Sequence, residues 1–155
     1  MNVAPVISDE LTSRLLAQAS RFARTATRQA GMRYSLVAMR VLSNLQHDGD
    51  LRVGELAARE TVSQPTMTVT VNRLEQDGLV TRRPDPLDAR ASVVQLTAAG
   101  LAELQSFRTR AAAVVRPVLA DLSEADAATL ARAAELFELL SDRLGRLQAG
   151  TSDNS

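Results

Sequence analysis

Two short stretches carry residues able to do chemistry. "SQPTMTVTVNR" spans Ser63 to Arg73, and "RRPDPLDAR" spans Arg82 to Arg90. In the first, Gln64 offers a paired donor and acceptor that suits an adenine edge. Thr66, Thr68 and Val69 bring methyl groups that suit a thymine methyl. Ser63 and the threonine hydroxyls, with free amides at a helix start, suit phosphates. Asn72 and Arg73 close the stretch with further polar groups. In the second stretch, Arg82, Arg83 and Arg90 are forked cations interleaved with Asp85 and Asp88. Such forks match phosphate and guanine geometry better than lysine does. This is chemistry of binding rather than of bond breaking.

The composition points the same way. The chain has 155 residues and no cysteine, so disulfides, thiol catalysis and thiol redox sensing are excluded. Its one histidine, His47, leaves no histidine–cysteine set for a transition metal, and no metal site or cofactor is expected. A nucleophile–base set is missing too, so an enzyme is not expected. His47 reads as a surface or helix-ending residue. The apolar share is 45% with 3% aromatics, which predicts a core of Leu, Val and Ala in a mainly helical fold. No apolar run reaches the roughly 18 residues of a membrane span, and the first residues do not resemble a signal peptide. A cytoplasmic protein without a membrane partner is therefore expected. Net charge is zero, yet Asp9 to Arg40 holds Arg14, Arg21, Arg24, Arg28, Arg33 and Arg40 against Asp9 and Glu10 only.

The elements that position the two stretches follow from caps and periodicity. Ser8 precedes Asp9 and Glu10, and Leu11, Leu15, Ala19, Phe22 and Ala26 recur at helical spacing up to Gly31. Ser35 caps a second helix with Leu36, Met39, Leu42 and Leu45, closed by "HDGD". A short helix is expected over Gly54 to Glu60, with Leu56 and Ala57 inward. Ser63 then caps a third start, with Pro65 in the first turn, where its missing N–H does no harm. Met67, Val71 and Leu74 mark the inward face, and Gly78 sits where a C-cap belongs. "LVTRR" (79–83) and "ASVVQLT" (91–97) read as strands, and the span from Arg82 to Arg90 as a long hairpin tip. A helix is expected from about Ala98 toward Leu119, bent near Pro117. Ser123 with Asp126 resembles a capping box for the last helix. There Leu130, Ala133, Phe137, Leu140, Leu144 and Leu147 keep the 3-4 spacing of a helix-pairing seam.

Two short helices, a turn and a hairpin make a winged helix-turn-helix. Its second helix suits a major groove, and the hairpin tip can reach the neighbouring minor groove. The stripe Leu11-Leu15-Phe22 and the stripe Phe137-Leu140-Leu144-Leu147 exceed what a small winged domain can bury. A second copy of the chain would cover them.

The order "ELA", "SQPT-T", "RLE-DGLV-R", "DP-DAR", "LT-AG" resembles the MarR-type transcription regulators, over Leu42 to Gly100, with flanking helices that also fit. The resemblance implies a mainly α fold with a small β-hairpin wing, and interlaced N- and C-terminal dimerisation helices. It implies one MarR-type domain over 8–148, with the winged helix-turn-helix at about 35–100. Dimerisation helices would take about 8–30 and 101–148, and residues 149–155 a flexible tail. Ser63 to Arg73 would be the recognition helix, and Asp88 and Arg90 the wing tip, with Arg90 entering the minor groove and Asp88 helping to hold it. The partners implied are a palindromic double-stranded DNA operator and a second copy as homodimer. The outcome implied is repression, relieved in many relatives by a small, often anionic, effector whose identity and binding residues stay open here. The chain departs from the usual pattern at Glu60 (usually apolar), Thr61 (often Gly) and Val69 (often basic). Zero net charge and Val69 favour an alternative, an interaction module of the same fold that does not itself read DNA.

Overall fold

The computed structural model describes residues 7–31 and 33–152. Its elements run α1 (Asp9–Gln29), α2 (Leu36–Asp48), β1 (Leu51–Arg52), α3 (Val53–Glu60) and α4 (Gln64–Gln76). They continue as β2 (Val80–Asp85), β3 (Asp88–Leu96), α5 (Ala98–Leu119) and α6 (Glu124–Ser152). The chain divides into two compact units, one up to Val114 and one from Val115 onward.

The helix starts are set by serine. Ser8, Ser35 and Ser63 accept the amides of Leu11, Ala38 and Thr66 at 3.2, 3.2 and 3.3 Å. Each satisfies a donor that the helix itself cannot. In the first unit the core gathers Val41 and Leu42 of α2, Leu56 of α3, and Met67, Val71 and Leu74 of α4, all fully buried. Val94 of β3 and Leu104 of α5 close it. Burying such a side chain is worth about 1.5–3 kcal/mol.

The sheet corrects two expectations. A two-residue strand, β1, follows the turn expected at 47–50, where no strand was expected; Leu51 pairs with Val94 and Arg52 with Val93. The helix after it starts at Val53, one residue early. The hairpin tip is also not long: β2 and β3 run on until Asp85 faces Asp88, so only Pro86 and Leu87 turn the chain. The strand order is β1-β3-β2. Because β2 is an edge strand, Pro84 can sit in it without breaking a ladder, and a register shift follows between Pro84 and Asp85.

The segment "LTAAG" joins wing to α5 through Thr97. Its hydroxyl donates to the Gly78 carbonyl at 2.7 Å and accepts the Gly100 amide at 3.0 Å. Its own amide donates to the Leu79 carbonyl at 3.2 Å. The Leu79 backbone consequently crosses close over Gly100, where a Cβ would overlap the Leu79 carbonyl oxygen.

In the second unit, Ser123 accepts the Asp126 amide at 3.1 Å and donates to its carboxylate at 2.6 Å, and so starts α6. Helix α5 continues through Pro117 to Leu119. Helix α6 runs to Ser152, into the stretch 149–155 expected as a tail; residues 153–155 lie outside those described. The apolar stripes are exposed. Leu11, Leu15 and Phe22 of α1, and Phe137, Leu140, Leu144 and Leu147 of α6, all keep much of their surface in water.

Two substitutions test this packing. Gly100→Ala should destabilise the protein by about 1–3 kcal/mol in urea unfolding, because the new methyl meets backbone rather than a flexible side chain. Thr61, at φ 54, is the one non-glycine residue with positive φ among those described. Thr61→Gly should relieve about 1 kcal/mol of left-handed strain and raise the midpoint.

Candidate nucleic-acid interface

Helix α4 turns Met67, Val71 and Leu74 inward. That leaves Ser63, Gln64, Pro65, Thr66, Val69, Asn72 and Arg73 exposed and Thr68 half-exposed. Val69 keeps 69% of its surface in water, an unusual place for a β-branched apolar side chain. The threonines stay helical by bonding backwards. Thr68 and Thr70 donate to the carbonyls of Gln64 and Thr66 at 2.9 and 3.0 Å. Ser63 and Thr66 share a hydroxyl–hydroxyl bond of 2.8 Å. The hydroxyls expected to meet phosphates are thus already engaged within the helix.

The wing stands against this helix through Arg82. Its guanidinium pairs with Glu75 and donates to the Asn72 side-chain oxygen at 2.6 Å. Its amide donates to Glu75 at 3.2 Å. Arg82 and Asn72, both expected as contact residues, are therefore tied to each other. Arg73, Arg83 and Arg90 are exposed, with no acidic partner among the described residues. Asp88 accepts the backbone amide of Arg90 at 3.0 Å, so it shapes the chain at Arg90. Gln64 and Thr68 of α4 and Ala91 and Ser92 of β3 line one open groove, which brings helix and wing to a common face.

The tip rests on a pair that sequence reasoning missed. Asp85 is buried, 6% exposed. It accepts the Leu87 amide at 2.8 Å and the Arg52 guanidinium at 2.6 Å. The Leu87 amide first, and Arg52 second, hold its carboxyl below the usual range. The same pair pushes Arg52 further up. Arg52 also donates its amide to Glu55 at 2.6 Å, at the start of α3. One arginine therefore joins β1, α3 and the wing tip. The alternation of Arg and Asp in the sequence was visible, but not that its partner lies 33 residues upstream.

A second feature is a cleft of about 260 Å³ among α1, α2 and the first part of α5. Leu36, Met39 and Phe107 supply apolar walls, and Arg24, Arg40 and Arg108 supply charge. Arg108 is held by Gln46 and Ser43 at 2.8 and 3.3 Å. His47 lies elsewhere, exposed, with Nδ1 2.9 Å from Asp48.

The chain matches the MarR family over residues 35–92, which holds α2 to most of β3. It is 32% identical over 108 residues to the uncharacterised HTH-type transcriptional regulator Mb0904 of Mycobacterium bovis, covering 70% of this chain and 76% of that protein. This chain belongs to the MarR family. MarR-family proteins are DNA-binding transcriptional regulators, and repressors occur among the relatives of this one. The HTH-type transcriptional repressor MdtR of Bacillus subtilis is 31% identical over 105 residues, 63% of this chain and 68% of that protein. The transcriptional regulator Tm0710 of Thermotoga maritima superposes with a TM-score of 0.69 at 23% identity, over 87% of this chain and 96% of its own. That likeness carries the fold, a MarR-type winged helix with a small three-stranded sheet. No helix among the described residues is long and apolar enough to cross a membrane.

The departures from the MarR pattern now have a physical setting. Glu60 is not a stray charge: its side chain is 6% exposed and is met by Arg40 and by Asn44, the latter at 2.9 Å. Thr61 adopts the left-handed conformation that a glycine would take there. Val69 leaves the middle of α4 apolar and uncharged.

The Asp85 pair sets a pH dependence. A carboxyl lowered in the folded state lends stability above its unfolded value, about 3.9, and loses it as pH falls through the folded value. Amide protection in the wing, taken relative to the intrinsic exchange rate at each pH, should therefore be flat from neutrality to about pH 5 and fall in stronger acid. In Asp85→Asn the wing should be less protected at neutral pH and show no such acid step.

Proposed function

We propose that two copies of this chain form a homodimer that binds a palindromic DNA operator and represses transcription. The exposed α4 face enters the major groove, and Arg90 on the wing enters the adjacent minor groove. The observation that carries this reading is the sorting of charge. Arg82 and Arg52 are neutralised by Glu75 and Asp85, whereas Arg73 on α4 and Arg83 and Arg90 on the wing are exposed, with no acidic partner among the described residues. Guanidinium groups without acids suit phosphates and a narrow minor groove. Gln64, Thr68 and Val69 supply the contacts able to read bases, and Val69 favours a thymine methyl. Arg82 and Asn72 hold the wing at a fixed distance from α4, which lowers the ordering cost of binding.

Pairing is supported by the exposed stripes. Leu11, Leu15 and Phe22 on α1, and Phe137, Leu140, Leu144 and Leu147 on α6, form faces that a second copy covers. A two-fold dimer presents its two α4 helices to successive major grooves, about 34 Å apart. The cleft with Arg24 and Arg40 suits a small organic anion, bound with its apolar part against Leu36, Met39 and Phe107. Such an effector releases DNA only insofar as it prefers the non-binding state.

Selection of bound fragments from sheared genomic DNA tests the reading. The expected product is a palindromic site. With two copies each of Arg73, Arg83 and Arg90 on phosphates or in the groove, the log–log salt slope should be about −5. Arg83→Ala should lower that slope by about 2 with sequence preference kept, whereas Arg90→Ala should cost about 1–3 kcal/mol and relax preference beside the major-groove site. Salt-steep binding blind to sequence, or no binding, would favour the interaction-module alternative. Leu144→Glu should sediment as a monomer and lose operator affinity; a dimer that persists refutes the pairing surface.

A further inference from the structure

Arg40 belongs to two places at once. Its side chain lines the cleft, and its Nε donates to the Glu60 carboxylate. Glu60 is the last residue of α3, and its other oxygen accepts from Asn44 at 2.9 Å. Thr61 follows in left-handed backbone, and Ser63 then caps the recognition helix. A buried carboxylate at this turn is thus satisfied by one cation and one neutral amide.

The two claims on Arg40 are unequal in geometry. Glu60 takes its Nε, and the terminal amino groups face no second acid among the described residues. A carboxylate in the cleft can take those groups in a two-pronged bond, which is stronger than a single-pronged one. Arg24, on the same cleft, has no acidic partner among the described residues and adds to the pull. Once Arg40 turns to the cleft, Glu60 keeps only Asn44. A carboxylate held by one neutral amide is costly to keep out of water. It leaves for solvent, and it takes the end of α3 with it. The strained backbone at Thr61 is kept in place only by its surroundings, so losing this tie frees it to relax.

We propose that Arg40 and Glu60 form a charge-exchange switch, in which an organic carboxylate in the cleft draws Arg40 from Glu60 and so loosens the turn that aims the recognition helix. The switch rests on the regulator reading above and assigns its regulation to a residue pair. Glu60 is a positioning residue; it touches neither the operator nor the carboxylate.

The test uses sodium benzoate as probe, with the selected operator fragment and the full chain. In the wild type, saturating benzoate should weaken operator binding about five-fold or more, read by fluorescence anisotropy. Two variants remove the switch: Glu60→Gln keeps the shape, and Glu60→Leu restores the apolar residue usual in the family. Both should still bind benzoate by calorimetry, with operator affinity now changing less than about two-fold on its addition. Circular dichroism checks that each variant is folded, and either one suffices. A full benzoate response in a folded variant overturns the proposal. So does a wild type that binds operator yet takes up no benzoate, or binds it without response. A wild type that binds no operator at all sinks instead the regulator reading.

Discussion

A carboxylate withdrawn from water must be met by a cation, and the wing of this protein is built around one such meeting. Asp85 is buried at the tip, where it fixes the two-residue turn through the Leu87 amide and draws in Arg52. Because Arg52 sits in β1 and heads α3, the hairpin cannot shift without disturbing the helix-turn-helix. The register shift beside Pro84 and the two-residue tip both lie next to that carboxylate. Arg82, tied to Glu75 and Asn72, does for the middle of the wing what Arg52 does for its tip.

The zero net charge of the chain becomes intelligible once the arginines are sorted. Arg40, Arg52, Arg59 and Arg82 are matched to Glu60, Asp85, Asp48 and Glu75 within the first unit. They are structural, and they cancel acids that would otherwise repel a polyanion. Those left over on α4 and the wing are Arg73, Arg83 and Arg90. A protein can therefore be neutral in sum and still present a cationic face, since what a partner meets is the unpaired remainder.

Much of this was legible in the sequence, and the boundary is instructive. Serine caps, the inward triplet Met67-Val71-Leu74 and the hairpin depend on neighbours within a turn or two, and local spacing records them. What spacing could not record is distance. β1 is two residues long and owes its existence to Val93 and Val94, far along the chain. The Arg52–Asp85 and Arg40–Glu60 pairs span 33 and 20 residues. Glu60 and Thr61 looked like faults in a familiar pattern; the fold shows one as a satisfied buried acid and the other as a residue holding a glycine's conformation. The engagement of the Thr68 and Thr70 hydroxyls with their own helix was likewise invisible, because a hydroxyl's partner depends on a rotamer.

The face formed by α4 and the wing has a property that follows from its residue types. From Ser63 to Leu96 the chain contains no lysine, histidine, cysteine or tyrosine. Acylation has no amine to cap there and oxidants have no thiol; of the hydroxyls, Thr68 and Thr70 are turned back on the helix, which leaves Ser63, Thr66, Thr81 and Ser92. Acid in the range that cells reach finds no imidazole to charge. Neither protonation in that range nor thiol oxidation therefore alters the charge of this surface. What stays adjustable is the placement of the surface, through the turn between α3 and α4 and the Arg52–Asp85 tie at the wing tip.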